Sequence, residues 1–501
     1  MKIIFVVISL LTSRGWAFCP NGCQCDDVGL RNHCVNANLE MVPILLNPQT
    51  KHLDLSHNHI KGIMPGFAFY HEMQYLDMSH NDVSSLGNKN FISQGSLSTL
   101  IISNNKIARI NEKTFEGLLA LKEIDLSDNY IDYIEHLAFK PLSGLRILDI
   151  SNNRISSFSN NTFKTLKGLK VLNICKNKLQ NISKDIFEHL VELQELHLCS
   201  NYIVTLENLV FRNLKKLVHL SLFSNQIERL LPKSLYGLES LKLLDVHDNL
   251  LKKIPSDFIP VSSSLEELNI GMNPFTSLET GAFEKLSSLR NLYISHCKNL
   301  TYLVKNVFSK LENLLFLEIS FNPKLSHLHI DIFKPLTELR RLVLRGNGFD
   351  SIENELFNWQ SLQYLDVREN PLVCNCSLKW LQTIENNKSL VIKIEEVSCT
   401  FPESLRGRVL TNLTDYELEC YSQLLVIACC IAVIIAFVLL VIIIGVIYYR
   451  HCRKMKTLVH DHWPEKIVAT WRDPEYEKQI EDEEYTFQSA RSVSQIQIPV
   501  I

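Results

Sequence analysis

The chain has 501 residues, with 51 lysines and arginines against 54 aspartates and glutamates and a formal charge of -3. This balance lacks the basic excess that phosphate-backbone binding needs, which excludes nucleic acid as an expected partner. The length suits two or three ordinary domains or one long repeat array, and the internal period selects the array.

Residues 1–17 read as a secretory signal peptide. Lys2 is followed by an apolar run from Ile3 to Leu11, and Gly15 and Ala17 supply the small residues before a cut after Ala17. The run is too short to span a hydrocarbon core, which takes roughly 20 residues. Residues 18–49 then hold Cys19, Cys23, Cys25 and Cys34 ahead of the first repeat.

From 50 to 372 the pattern L-x-x-L-x-L-x-x-N-x-L returns about 14 times. Its asparagine falls at 58, 81, 105, 129, 153, 177, 201, 225, 249, 273, 322, 347 and 370, with Cys297 in the missing place. Leu145, Leu148 and Ile150 represent the inward leucine stations, and Asn153 can satisfy backbone groups of neighbouring coils through both ends of its amide. A second ladder runs ten residues after each asparagine: Phe91, Phe115, Phe139, Phe163, Phe187, Phe211, Leu235, Ile259, Phe283 and Phe357, with Phe308 and Phe333 one residue later. In the first repeat Ala68 holds the station, and Phe67 or Phe69 can take the place. These rings are expected to pack a spine and to do nothing else.

This pattern resembles the extracellular leucine-rich-repeat (LRR) family, in particular the 24-residue type of Slit proteins, Toll-like receptors and LRR synaptic adhesion proteins. The resemblance covers roughly Cys19 to Cys420. It implies an α/β solenoid, a horseshoe with a parallel sheet on its concave face and a disulfide cap at each end. The C-terminal cap, 373–421, carries Cys374, Cys376, Cys399 and Cys420. An oxidising compartment favours bridges over metal binding, although sequence alone allows three connectivities per cap. The resemblance implies Cys19 with Cys25, Cys23 with Cys34, Cys374 with Cys399, and Cys376 with Cys420. Cys175 and Cys199 share a station of adjacent repeats at bridging distance, but in-register side chains point the same way, so buried thiols are the preferred reading.

On the expected concave face the early repeats carry ordinary polar residues such as Lys51, Asp54, Gln74, Asp77, Lys122, Glu123, Asp125 and Asp149. Repeats 11 to 14 differ. Arg290, Tyr293, Leu315, Phe316, Phe321, Arg340, Arg341, Val343 and Tyr364 fall on outward stations there. Exposed apolar surface with arginine and aromatic residues marks a candidate protein-binding patch. His57 and His80 share a station and read as polar surface. Catalytic motifs are not found in the sequence, no cofactor is implied, and the chain is not expected to be an enzyme.

Six N-x-S/T sequons, at Asn160, Asn181, Asn299, Asn375, Asn387 and Asn412, are glycosylation candidates and all precede the apolar run. Residues 422–449 form the expected transmembrane helix, with 24 uncharged residues from Leu424 to Ile447. Arg450, His451, Arg453, Lys454 and Lys456 follow and place the C-terminus in the cytoplasm. Cys452 is a candidate palmitoylation site. The tail, 450–501, is expected to be disordered, with Tyr476 and Tyr485 as phosphorylation candidates for a cytoplasmic adaptor. At 52 residues it is far shorter than the signalling domain of Toll-like receptors. The organisation implies a single-pass type I plasma-membrane glycoprotein, a receptor or adhesion protein whose ectodomain binds an extracellular or cell-surface protein. The alternative is an accessory co-receptor or trafficking escort for another receptor. Oligomeric state, ligand and tissue are not written in the sequence.

Overall fold

The computed structural model describes residues 18–63, 66–254, 264–384, 391–392, 396–420 and 423–462. The expected signal cleavage, Ile259, Asn387, Tyr476 and Tyr485 lie outside these residues. The chain divides into two units, 1–419 and 420–501.

In the first unit each coil contributes one short strand, and the strands join in a seventeen-stranded sheet. Gln24–Asp26 pairs antiparallel with Arg31–His33, and every later pairing in this sheet is parallel and in register, ending at Val391–Ile392. The cause is the pattern. The central leucine of each strand, such as Leu53, Leu148 or Leu317, is fully buried, while its two neighbours face away from the core. A slip of one residue would exchange these faces, so the register is held by burial.

Asparagine ties coil to coil. Asn153 Nδ2 donates to Leu126 O of the preceding coil at 3.0 Å and to Ile150 O and Ser151 O of its own, while its Oδ1 accepts from Ile131 N–H at 2.9 Å. The same back-reaching bond recurs from Asn58 to Asn370. Cys297, fully buried, reaches Ser295 O with its thiol at 3.6 Å, and burial pushes its pKa up to about 11, against backbone hydrogen bonds from Asn273 and Met272. The residue before each of these stations is left-handed in every coil, from His57 to Glu369, which turns the chain off the sheet.

The phenylalanine spine is present. Rings of Phe115, Phe139 and Phe163 stack at 5.9 and 6.1 Å, and Phe283, Phe308 and Phe333 at 6.1 and 6.4 Å. In the first repeat Phe67 takes the place, buried and stacked on Phe91 at 6.0 Å, whereas Phe69 is exposed. The last ring, Phe357, meets Phe333 edge-on, and the series ends on Trp359 stacked at 4.7 Å against Trp380 of the C-terminal cap.

Bridges join Cys19 to Cys25, Cys23 to Cys34 and Cys374 to Cys399, and Cys376 and Cys420 are also disulfide-bonded. The buried-thiol reading of Cys175 and Cys199 is corrected, for the two are bridged with Cα atoms 4.5 Å apart. Both lie past the strand end, where left-handed Lys176 and Ser200 begin the turn, so strand-like parallel alignment no longer governs their side chains.

The second unit contains the helix Gln423–His462, whose stretch Ile427–Met455 is long and apolar enough to cross a membrane. Forty residues at about 1.5 Å each exceed a hydrocarbon core of about 30 Å.

Candidate functional site

The in-register sheet converts sequence stations into rows on its open face. In the row before the central leucine, Asn291, Phe316, Arg341 and Tyr364 stand side by side. In the row after it stand Tyr293, Glu318, Val343 and Asp366. The Arg341 guanidinium lies 5.2 Å from the centres of both the Phe316 and Tyr364 rings, and Phe316 touches Tyr293 with ring centres 5.1 Å apart. Four of the nine expected residues, Tyr293, Phe316, Arg341 and Tyr364, therefore form one cluster. Arg341 is exposed and forms no ion pair among the described residues. A cation shared by two ring faces gains about 0.5–1 kcal/mol from each at an exposed site. That is enough to orient the side chain while leaving its N–H groups for a partner.

The other five divide. Val343 is half-buried within the second row. Arg290 and Leu315 line an open groove of about 670 Å³ at the upstream end of the strands, with Lys242, Glu266 and Glu338. Arg340 pairs with Glu338 at 3.0 Å, so its charge is satisfied. Phe321 sits downstream, past the strand, with His296 stacked on it at 4.6 Å and Arg345 over its ring at 5.5 Å. Gly346 makes room for this ring, since a Cβ there would come within 2.5 Å of it.

His296 and Arg345 were not among the expected residues: His296 shares the outward station of Phe321 and was passed over, and Arg345 lies one station earlier, which was not counted as outward. They occupy the same two stations as Phe321 and Arg368, which would have exposed them. Arg345 pairs with Glu369, whose hydrogen bond raises the arginine pKa. Beneath the cluster, Arg368 grips Asp366 through Nε at 2.8 Å and Nη2 at 2.7 Å. Burial would raise the Asp366 carboxyl, but these bonds win and hold it below its ordinary range. Burial raises the Tyr293 and Tyr364 hydroxyls, aided by Glu267 and Glu318 at the first and Asp366 at the second. Both remain neutral donors at physiological pH.

The early coils are less plain than expected. His52 stacks flat on Tyr75 at 4.1 Å, and His57 stacks on His80 at the same distance. Burial keeps His52 below the usual histidine pKa, with His33 adding to the effect. Of the sequon asparagines, Asn160, Asn181, Asn299, Asn375 and Asn412 are exposed, and Asn375 Oδ1 accepts from Ser377 N–H at 2.9 Å.

In-register parallel coils, an asparagine ladder and a phenylalanine spine define a leucine-rich-repeat solenoid. The coils are leucine-rich repeats: a family model described as "Leucine rich repeat" matches residues 95–155, 143–198, 191–251 and 263–323, and a second matches 49–69. Among curated proteins the chain is similar to Leucine-rich repeat-containing protein 3B of Danio rerio, 33% identical over 103 residues, covering 19% of this chain and 40% of that protein. It is also similar to Trophoblast glycoprotein of Macaca fascicularis, 33% identical over 88 residues, covering 17% of this chain and 21% of that one. The chain thus spans two fifths or less of the length of these relatives. Among solved structures, the TLR13–ssRNA13 complex matches with a TM-score of 0.53 at 26% identity, over 71% of this chain and 59% of that one. The Toll–Spatzle complex of Drosophila matches with a TM-score of 0.58 at 20% identity, over 73% and 57%.

Proposed function

We propose that this chain is a cell-surface LRR receptor or adhesion protein that binds a protein partner on the open face of its sheet, around Tyr293, Phe316, Arg341 and Tyr364. The reading is carried by Arg341, an exposed guanidinium held between two ring faces and without an ion pair among the described residues. A lone ion of this kind is suited to a carboxylate of the partner, while the flanking rings supply area at low entropic cost. The RNA of the TLR13 complex is not carried over, because the net charge of -3 gives no general attraction to phosphates. The apolar helix Gln423–His462 would anchor the repeats as a type I plasma-membrane protein, with any signal passing through adaptors recruited to the tail.

The test uses the full chain displayed on cells and a membrane-impermeant crosslinker. Wild-type protein should give a crosslinked partner band. Phe316→Ser with Tyr364→Ser should remove the band at unchanged surface amount, and Arg341→Glu should do the same alone. A band that survives all three changes refutes the patch.

A further inference from the structure

Outside that cluster, the middle of the sheet carries a four-cornered group that the proposed patch does not use. Glu195 and His197 lie two residues apart on one strand and therefore on one face. His219 and Ser221 are their in-register neighbours on the next strand, Glu195 against His219 and His197 against Ser221. The ligand atoms of Glu195, His197 and His219 all lie within 4.8 Å of one another. His197 Nε2 is 3.4 Å from Glu195 Oε2, and the two imidazole rings stand edge to face with centres 4.8 Å apart.

We propose that Glu195, His197 and His219 bind one divalent transition metal of the zinc class, with an open coordination position facing away from the sheet. Tetrahedral zinc with bonds of about 2.0 Å needs donor atoms about 3.3 Å apart, and the His197–Glu195 edge already has that length. Only His219 has to close, by a side-chain rotation. Two imidazoles and one carboxylate are a donor set that zinc accepts with its fourth position left to water or to an outside ligand.

A second observation points to the same place. Ser221, the fourth corner, is only 3% exposed, and its Oγ has no hydrogen-bond partner among the described residues. A buried hydroxyl without a partner is costly, and a metal-bound water or a ligating imidazole beside it would supply one. The surroundings do not compete. The next positions in the two rows are Val171 and Leu243, Asn173 and Asp245, with no cation among them. Asn173 donates to Asp149 at 2.8 Å, and Asp245 holds His247 at 2.6 Å. The nearby Cys175 and Cys199 are bridged and offer no thiolate.

The experiment uses the full-length protein in detergent, without a polyhistidine tag, and cobalt(II) as the probe. Cobalt should give the visible absorption of a low-coordinate nitrogen and oxygen site, and zinc should displace it. His197→Gln with His219→Gln should weaken cobalt binding at least tenfold, the scale on which even supporting partners act. The thermal transition of this variant without metal should match the wild type, because both imidazoles lie outside the core. His57→Gln with His80→Gln, a face-stacked histidine pair of the early coils, should leave the absorption unchanged. The proposal is overturned if the wild type shows no such absorption. It is equally overturned if the His197 and His219 double variant retains it, or if only the His57 and His80 variant loses it.

Discussion

In the coils from Asn58 to Asn273 a single asparagine amide closes four backbone bonds, as at Asn153, and this sets the cost of losing it. Asn153→Ala leaves Ile131 N–H buried without its partner, while Leu126 O keeps only the bond from Asn129 Nδ2 at 3.2 Å. One stranded buried donor costs about 1–3 kcal/mol, and that is the loss expected. Thermal denaturation of the full chain should show a clear fall in midpoint, whereas exposed Ser156→Ala should stay within about 0.5 kcal/mol of wild type. Equal midpoints would mean that the ladder is ornamental. The left-handed station beside each asparagine is the other single-residue device, and Phe321 pays a strain there that a glycine would not, with φ at 53°. Gly346 occupies the next such station, and the Phe321 ring fills the space above it. Phe321 is thus positioned by its neighbour's missing side chain.

At the scale of one strand, Tyr364–Asp366 joins the patch to the buried Asp366–Arg368 pair, whose side chains are 4% and 9% exposed. Asp366→Asn would leave the guanidinium with only Glu396 at its outer side, and breaking such a pair costs about 3–5 kcal/mol. The pH dependence follows from the depressed carboxyl. Its contribution is complete above the unfolded aspartate pKa of about 3.9 and is lost as pH falls through the lower folded value. Melting temperature measured from pH 7 down to pH 3 should drop on the acid side in the wild type. Asp366→Asn should start lower and lose less of it, and parallel curves would count against the pair.

The strands also show how far the sequence could be read. The leucine, asparagine and phenylalanine stations were legible because a repeating coil forces one residue type into one environment. Rows across the sheet follow from the same period. That is why Phe316, Arg341 and Tyr364 were named together, although the guanidinium's seat between two rings depends on a rotamer that spacing does not encode. The Glu195, His197 and His219 group was missed for the opposite reason. It is discontinuous in sequence, formed by a two-residue step along a strand and a 24-residue step across it, so a scan for linear metal motifs passes over it. The Cys175–Cys199 bridge was misjudged because strand geometry was extended two residues past the strand ends at Asn173 and His197.

Over the whole solenoid, each coil touches chiefly the one before and the one after, so stability should be divided along the chain and not shared by one core. Phe139 makes the test sharp. Its ring is fully buried between Phe115 and Phe163, and Phe139→Ala should cost about 3–5 kcal/mol through lost burial and the cavity left behind. In a globular domain that loss would lower protection everywhere. Here hydrogen exchange should accelerate in the coils bearing Phe115, Phe139 and Phe163, while the coils around Phe283, Phe308 and Phe333 keep wild-type rates. The crosslinked partner band should survive the same substitution, because Arg341 and its two rings belong to the distant coils. Uniform acceleration along the repeats would show that they unfold as one body, and the separation of binding coils from supporting coils would then fail with it.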